Sequence, residues 1–249
     1  KPNFKVWETN MDLATVEKEI DANGFCVLSA IECDVAAKAK LEYLELKSST
    51  TLHSQMDVMD KSTLKENPFR KTAIGSVNGL GEKISQILQT TYFDNEAHYC
   101  EHLSFCARKL VGIRNRLMNL AEDFGSNSKR DGYWNASRVH HYPSGGGHMQ
   151  GHCDRHFPAL VNGETNKFVQ VAMSLSKRGN DFKSGGFFVR NRHGVSIDIE
   201  EMLDIGSILC FDGRLEHGIL DVDSHQVLDW DSESGRLALF SMLYENFEN

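Results

Sequence analysis

A change of pattern at Gly132 constrains this chain more than any other feature of its sequence. Beyond it the residues fall into short apolar runs separated by Gly, Asn and Asp: Trp134 to Tyr142, Phe168 to Ser176, Gly186 to Arg190, Ser207 to Phe211 and Arg236 to Tyr244. Runs of this length, bounded by turn formers, read as strands, and several in succession suggest a sandwich or jelly roll.

The sequence before Gly132 carries helical periodicity instead. Met11 to Asn23 places Leu13, Val16 and Ile20 on one face, with Gly24 as a stop. Phe25 to Leu28 reads as a short buried strand, and a second helix is expected from Asp34 to about Lys47. Ser48 to Asn78 is polar and irregular around Pro68 and is a candidate lid or substrate loop. A long helix is expected from Asn95 to about Phe124, with Leu103, Leu110, Ile113, Leu117 and Leu120 on neighbouring turns and Gly125 closing it. The 249 residues are therefore expected to form one α+β unit, with 1–131 mainly helical support and candidate lid, and 132–249 the β core.

Composition narrows the function. A formal net charge of −8 leaves no general basic surface for a phosphate backbone, so nucleic acid is not expected as a partner. No apolar run reaches the roughly 20 residues of a membrane-spanning helix. The six cysteines form no Cys-x-x-Cys pair and no regular framework, which suggests a reducing, cytoplasmic compartment; the start at Lys1 leaves a removed leader open. Asn135-Ala-Ser137 matches a glycosylation sequon but lies in an expected strand and carries little weight.

The chemistry concentrates in Arg138 to Phe157, where His140, His141, His148, His152 and His156 fall together. In an extended chain His152 and Asp154 project to one side and can meet one ion. With 11 His in the chain, a His-x-Asp arises by chance about once, so the pair gains meaning only from its company. His217, well downstream beside an expected strand, supplies a third ligand. Two imidazoles and one carboxylate on one face of an octahedral ion leave open positions, as iron(II) oxygenases require. Arg236 opens the apolar run Arg-Leu-Ala-Leu-Phe. A guanidinium there needs an anion, either an acidic side chain of this chain or a bound carboxylate.

In this order, from about Trp134 to Tyr244, these elements resemble the iron(II) and 2-oxoglutarate-dependent dioxygenase superfamily, especially its prolyl-hydroxylase-like and phytanoyl-hydroxylase-like branches. The resemblance implies a double-stranded β-helix, that is, a cupin-like jelly-roll core flanked by N-terminal helices. It implies iron(II) on His152, Asp154 and His217, with 2-oxoglutarate and O2 as cosubstrates. Arg236 would take the far carboxylate of 2-oxoglutarate and Tyr142 would assist it. The implied reaction is oxidation of an unactivated C–H bond by hydroxylation, desaturation or cyclisation, and Asp154 argues against halogenation. Ala238 stands where the family often has Ser, which weakens the Arg236 assignment.

A small-molecule substrate, such as an amino-acid-derived compound of secondary metabolism, is the leading expectation. Arg138, His148, Arg190 and Arg192 are the candidate substrate contacts, each with a surface or structural alternative. Two other readings stay open: a prolyl-hydroxylase-like enzyme acting on a protein side chain, and a non-redox cupin-like binding module. His140 and His141 read as a strand pair with one ring held in the core. Gly145-Gly-Gly147 reads as a turn, since no Lys-Ser or Lys-Thr follows to make a phosphate loop. Oligomeric state is not legible.

Overall fold

A computed structural model describes residues 6–7, 12–29, 33–53, 68–79, 82–94, 99–154 and 168–245. Thirteen strands join in one curled, largely antiparallel sheet. They are β1 (Val6–Trp7), β2 (Phe25–Leu28), β3 (Thr51–His53), β4 (Phe69–Gly79), β5 (Glu82–Phe93), β6 (Tyr133–Pro143) and β7 (Gly147–His152). The remainder are β8 (Val169–Ser174), β9 (Gly186–Arg190), β10 (Ser196–Asp198), β11 (Ile208–Asp212), β12 (His217–Val222) and β13 (Gly235–Glu245). The sheet runs β1-β2-β11-β8-β13-β6-β5-β7-β12-β9-β10, with β4 and β3 attached beside β5.

Four α-helices are described, α1 (Leu13–Asn23), α2 (Cys33–Ser49), α3 (Glu101–Leu117) and the single turn α4 (Ser128–Asp131), besides a 3-10 turn at Glu200–Met202. In α1 the Asp12 carboxylate accepts from Ala14 N, and Val16 and Ile20 are buried. Gly24 ends it at φ +89, a left-handed cap conformation that favours glycine. Leu103, Cys106, Ala107, Leu110, Val111 and Leu117 form the buried stripe of α3, which packs on β8 and β13. No described helix is long and apolar enough to cross a membrane.

The core has two layers because strand residues alternate faces. Val139, Met173, Cys210, Leu237 and Leu239 face the helices. Their neighbours Phe25, Val27, Tyr142, Leu209 and Phe211 face into the curl, where they meet Phe187, Val189 and Ile219.

Three expectations needed correction. The long helix begins at Glu101, residues 95–98 lying outside those described, and ends at Leu117. Asn119 turns the chain at φ 57, and the Asn115 side chain donates to the Glu122 and Phe124 carbonyls at 3.0 and 3.1 Å. Within 48–78, where a loop was expected, α2 continues to Ser49 and both β3 and β4 are strands; residues 54–67 lie outside those described. β4 is polar, and it is held by pairing with β5 along its whole length, from Phe69↔Tyr92 to Gly79↔Glu82. Because β5 also lies between β6 and β7, the first 131 residues supply sheet as well as helical support. The sequon residue Asn135 is buried, with Oδ1 accepting from Arg114 at 2.7 Å, a placement that closes it to glycosylation.

Candidate metal centre

His152 ends β7 and His217 begins β12, and the two residues are direct partners across that strand pair, with ring centroids 4.5 Å apart. Asp154 follows β7 on a segment pinned by its own N–H to the Gly213 carbonyl at 2.8 Å. One ligand atom from each of the three lies within 4.8 Å of the others. Asp154 Oδ1 is 3.6 Å from His152 Nε2, and Oδ2 is 3.7 Å from His217 Nε2.

Both imidazoles have their orientation fixed from behind. His152 Nδ1 donates to the Gln150 carbonyl and His217 Nδ1 to the Leu215 carbonyl, each at 2.9 Å. This places the proton on Nδ1 and leaves the Nε2 lone pairs facing Asp154, as metal ligation requires. Burial pushes the His217 imidazole below its usual range, against the attraction of Asp154, and the neutral form is the ligating one. Gln170, on β8, donates to Asp154 Oδ2 at 3.1 Å and fixes the carboxylate in turn. The donor set, tautomers and supporting bonds fit a divalent transition metal.

Deeper in the curl, Arg236 on β13 pairs directly with Tyr142 on β6. Its guanidinium lies 6.0 Å from the Tyr142 ring and 5.7 Å from Phe187, which in turn lies 6.0 Å from the His217 ring. Nε donates to Glu200 Oε2 at 2.7 Å, so the anion expected of Arg236 is partly supplied within the chain. Nη1 is nevertheless buried and finds no partner among the described residues. The Tyr142 hydroxyl, pushed up to about 12 by burial, has among the described residues only His140 Nδ1 at 3.3 Å and Met149 sulfur at 4.0 Å as partners. An orphaned guanidinium nitrogen beside a weakly engaged hydroxyl fits a carboxylate oxygen.

The four candidate substrate residues separate. Arg138 is buried on the same inward face as His140 and Tyr142. Arg190 is half-exposed, paired with Glu216 at 2.7 Å and donating to the Gly194 carbonyl. Arg192 binds Asp212 at 2.9 Å and the Ile20 carbonyl at 3.2 Å, tying α1 to β11. His148 pairs with Ser85 Oγ and the Gly146 carbonyl. Strict alternation would place His148 with His152, but the register passes from His217↔His152 to Ile219↔Met149. That extra residue is a bulge, and it puts His148 out of phase with His152. The Gly-rich segment is a turn, as expected: Gly145 and Gly146 adopt positive φ and donate to the Asp223 and Val222 carbonyls.

Sequence reasoning missed Glu200 and Gln170. Glu200 stands in the acidic run Asp-Ile-Glu-Glu, which reads as surface, and Gln170 sits in an expected strand with nothing local to link it to Asp154.

No known family profile and no curated protein matches the sequence. Solved structures do. A Pseudomonas putida prolyl-4-hydroxylase superposes with a TM-score of 0.53 at 14% identity, covering 94% of this chain and 100% of its own. A Trichoplax adhaerens prolyl hydroxylase, solved with a hypoxia inducible factor oxygen degradation domain peptide fragment, gives 0.53 at 16% identity over 94% and 89%. AviO1 from Streptomyces viridochromogenes Tue57 gives 0.54 at 13% over 96% and 97%. The chain is therefore a helix-flanked double-stranded β-helix protein with the fold of the prolyl hydroxylases.

Proposed function

We propose that this protein is an iron(II) and 2-oxoglutarate-dependent oxygenase that oxidises an unactivated C–H bond of a small molecule. The observation carrying this reading is the buried His152, Asp154 and His217 cluster, with both Nε2 atoms turned inward by backbone carbonyls. Bound iron with 2-oxoglutarate would supply the oxidising chemistry, coupled to decarboxylation of the cosubstrate to succinate. The chain's own residues hold and orient. His152, Asp154 and His217 would hold the metal, Gln170 keeps the Asp154 carboxylate in place, and Arg236 with Tyr142 would receive the far carboxylate. Phe187 and Phe211 pack against the His217 ring and keep water from that side.

The likeness to prolyl hydroxylases favours a second reading, hydroxylation of a prolyl side chain in a protein or peptide. Both readings demand iron-dependent conversion of 2-oxoglutarate to succinate. Succinate formation that needs iron(II), stops with a chelator and is lost in His217→Ala is the expected result. Absence of succinate from iron-loaded protein in air, with and without candidate substrates, counts against the proposal. Mass spectrometry of proline-containing peptides after turnover separates the two substrate classes.

A further inference from the structure

The concave face carries two buried arginines, and their surroundings differ. Arg236 has Glu200. Arg138, 7% exposed, has no carboxylate partner among the described residues. Its terminal nitrogens donate to the Tyr244 hydroxyl and the Met242 sulfur, its Nε has no partner among the described residues, and its charge rests against the Tyr92 and Tyr244 rings at 5.7 and 5.4 Å. Two tyrosines, engaged through their hydroxyls as well as their rings, and a thioether are all neutral and compensate a buried cation only in part. Arg114, the third buried arginine, is no parallel. All three of its nitrogens are bonded, to the Ser241 carbonyl and the Asn115 and Asn135 side-chain oxygens.

Register fixes where Arg138 stands relative to the metal ligands. Ala172, Phe240, Arg138 and Tyr92 are successive partners across β8, β13, β6 and β5. Gln170, two residues along β8 on the face of Ala172, is the residue bonded to Asp154. Met242 and Tyr244 lie beyond Phe240 on β13, so the Arg138 guanidinium leans toward the Gln170 end, away from Arg236. Arg138 and Tyr142 are four residues apart on one strand, roughly 13 Å. Tyr244, 37% exposed, opens this end to solvent.

We infer that Arg138, framed by Tyr92 and Tyr244, is the anchor for a carboxylate carried by the organic substrate. This rests on the oxygenase reading and sharpens it, because it makes the substrate a small organic acid. The guanidinium presents a planar fork that a carboxylate fills with two parallel hydrogen bonds. With Arg236 and Tyr142 holding the cosubstrate in the depth of the curl, Arg138 holds the substrate at its mouth and fixes which carbon faces the metal ligands.

The test is calorimetric titration of monocarboxylates from propionate to phenylacetate, each beside its primary amide, into protein holding manganese(II) and 2-oxoglutarate. The expected result is at least tenfold tighter binding of one or more acids than of their amides. That preference should be abolished in Arg138→Met, partly kept in Arg138→Lys and retained in Arg190→Ala. Arg138→Gln serves if the Met variant does not fold. Amides binding as well as acids, no acid binding at all, or an unchanged preference in Arg138→Met overturns the inference. So does loss of the iron and 2-oxoglutarate absorption band in Arg138→Met, which would move Arg138 to the cosubstrate site. If the parent protein itself lacks that band, the oxygenase reading fails, and the same titration without metal or 2-oxoglutarate judges Arg138 as an acid-binding site in its own right.

Discussion

Arg236 and Glu200 form an ion pair at 2.7 Å with side chains only 2% and 0% exposed, and Glu200 Oε2 also accepts from Phe187 N at 2.8 Å. One carboxylate thus fixes the guanidinium on β13 and the start of strand β9 together. Removing one partner of such a pair leaves the other charged and buried, at a cost of about 3–5 kcal/mol. Glu200→Gln and Arg236→Met should each lower unfolding stability by that order in urea titrations, and the double variant should lose less than the sum. Additive losses would show that the two charges do not depend on each other.

Gln170 would act on a bound metal through Asp154, to which it donates at 3.1 Å. Its removal frees a carboxylate that must stay aligned with two imidazoles, and supporting residues of this kind typically contribute about 10–100-fold in metal affinity. Gln170→Leu should weaken manganese(II) binding by that factor, measured by competition with a chelator, while leaving the folded structure intact by circular dichroism.

The two surface-side arginines should behave unlike the buried ones. Arg190 makes an exposed pair with Glu216, worth about 0–1 kcal/mol. Arg190→Ala should therefore leave metal binding, 2-oxoglutarate binding and stability nearly unchanged. A tenfold loss in either binding constant would return Arg190 to the site.

Acid should destabilise the fold through its buried histidines. His141 is fully buried and held neutral, its imidazole pushed down to about 3 by burial, with Lys47 adding in the same direction. The unfolded imidazole titrates near 6.5. A folded value below the unfolded one means that the unfolded chain takes up the proton first. The contribution is fully present above about pH 6.5 and is lost as pH falls from there toward 3, about 1–2 kcal/mol by pH 5. His140, also pushed down by burial and then by Arg138 and Arg236, adds with the same sign. His141→Gln, which keeps a donor for the Ser234 carbonyl, should flatten urea stability between pH 7 and pH 5 relative to the parent.

The parts of this molecule that could be read in advance are those whose signal is local. α1 and the strands around Tyr142, Phe187, Cys210 and Leu239 carry their own periodicity and turn residues, and they formed where expected. The polar strand β4 has no such signal and exists because β5 pairs with it. β7, Gly-His-Met-Gln-Gly-His, lacks alternation, and its bulge separates His148 from His152 in a way that counting by twos cannot find. At the site, the three residues that cluster, His152, Asp154 and His217, were legible from residue type and order. Glu200 was not, because its partner Arg236 is brought to it only by closure of the sheet. Arg138 could be named as a candidate, yet its lack of a carboxylate partner, which gives it meaning, is a property of the folded interior.

In the proposed function the inward-turned Nε2 atoms of His152 and His217 and the Asp154 carboxylate hold iron(II) beside a 2-oxoglutarate site. Anaerobic addition of iron(II) and then 2-oxoglutarate to the purified protein, followed by visible absorption, tests it most directly. The expected result is a weak charge-transfer band that requires both additions, is absent in His217→Ala and is weakened in Arg236→Met. Iron bound at one equivalent with no band on adding 2-oxoglutarate, or a band that persists in His217→Ala, would contradict it.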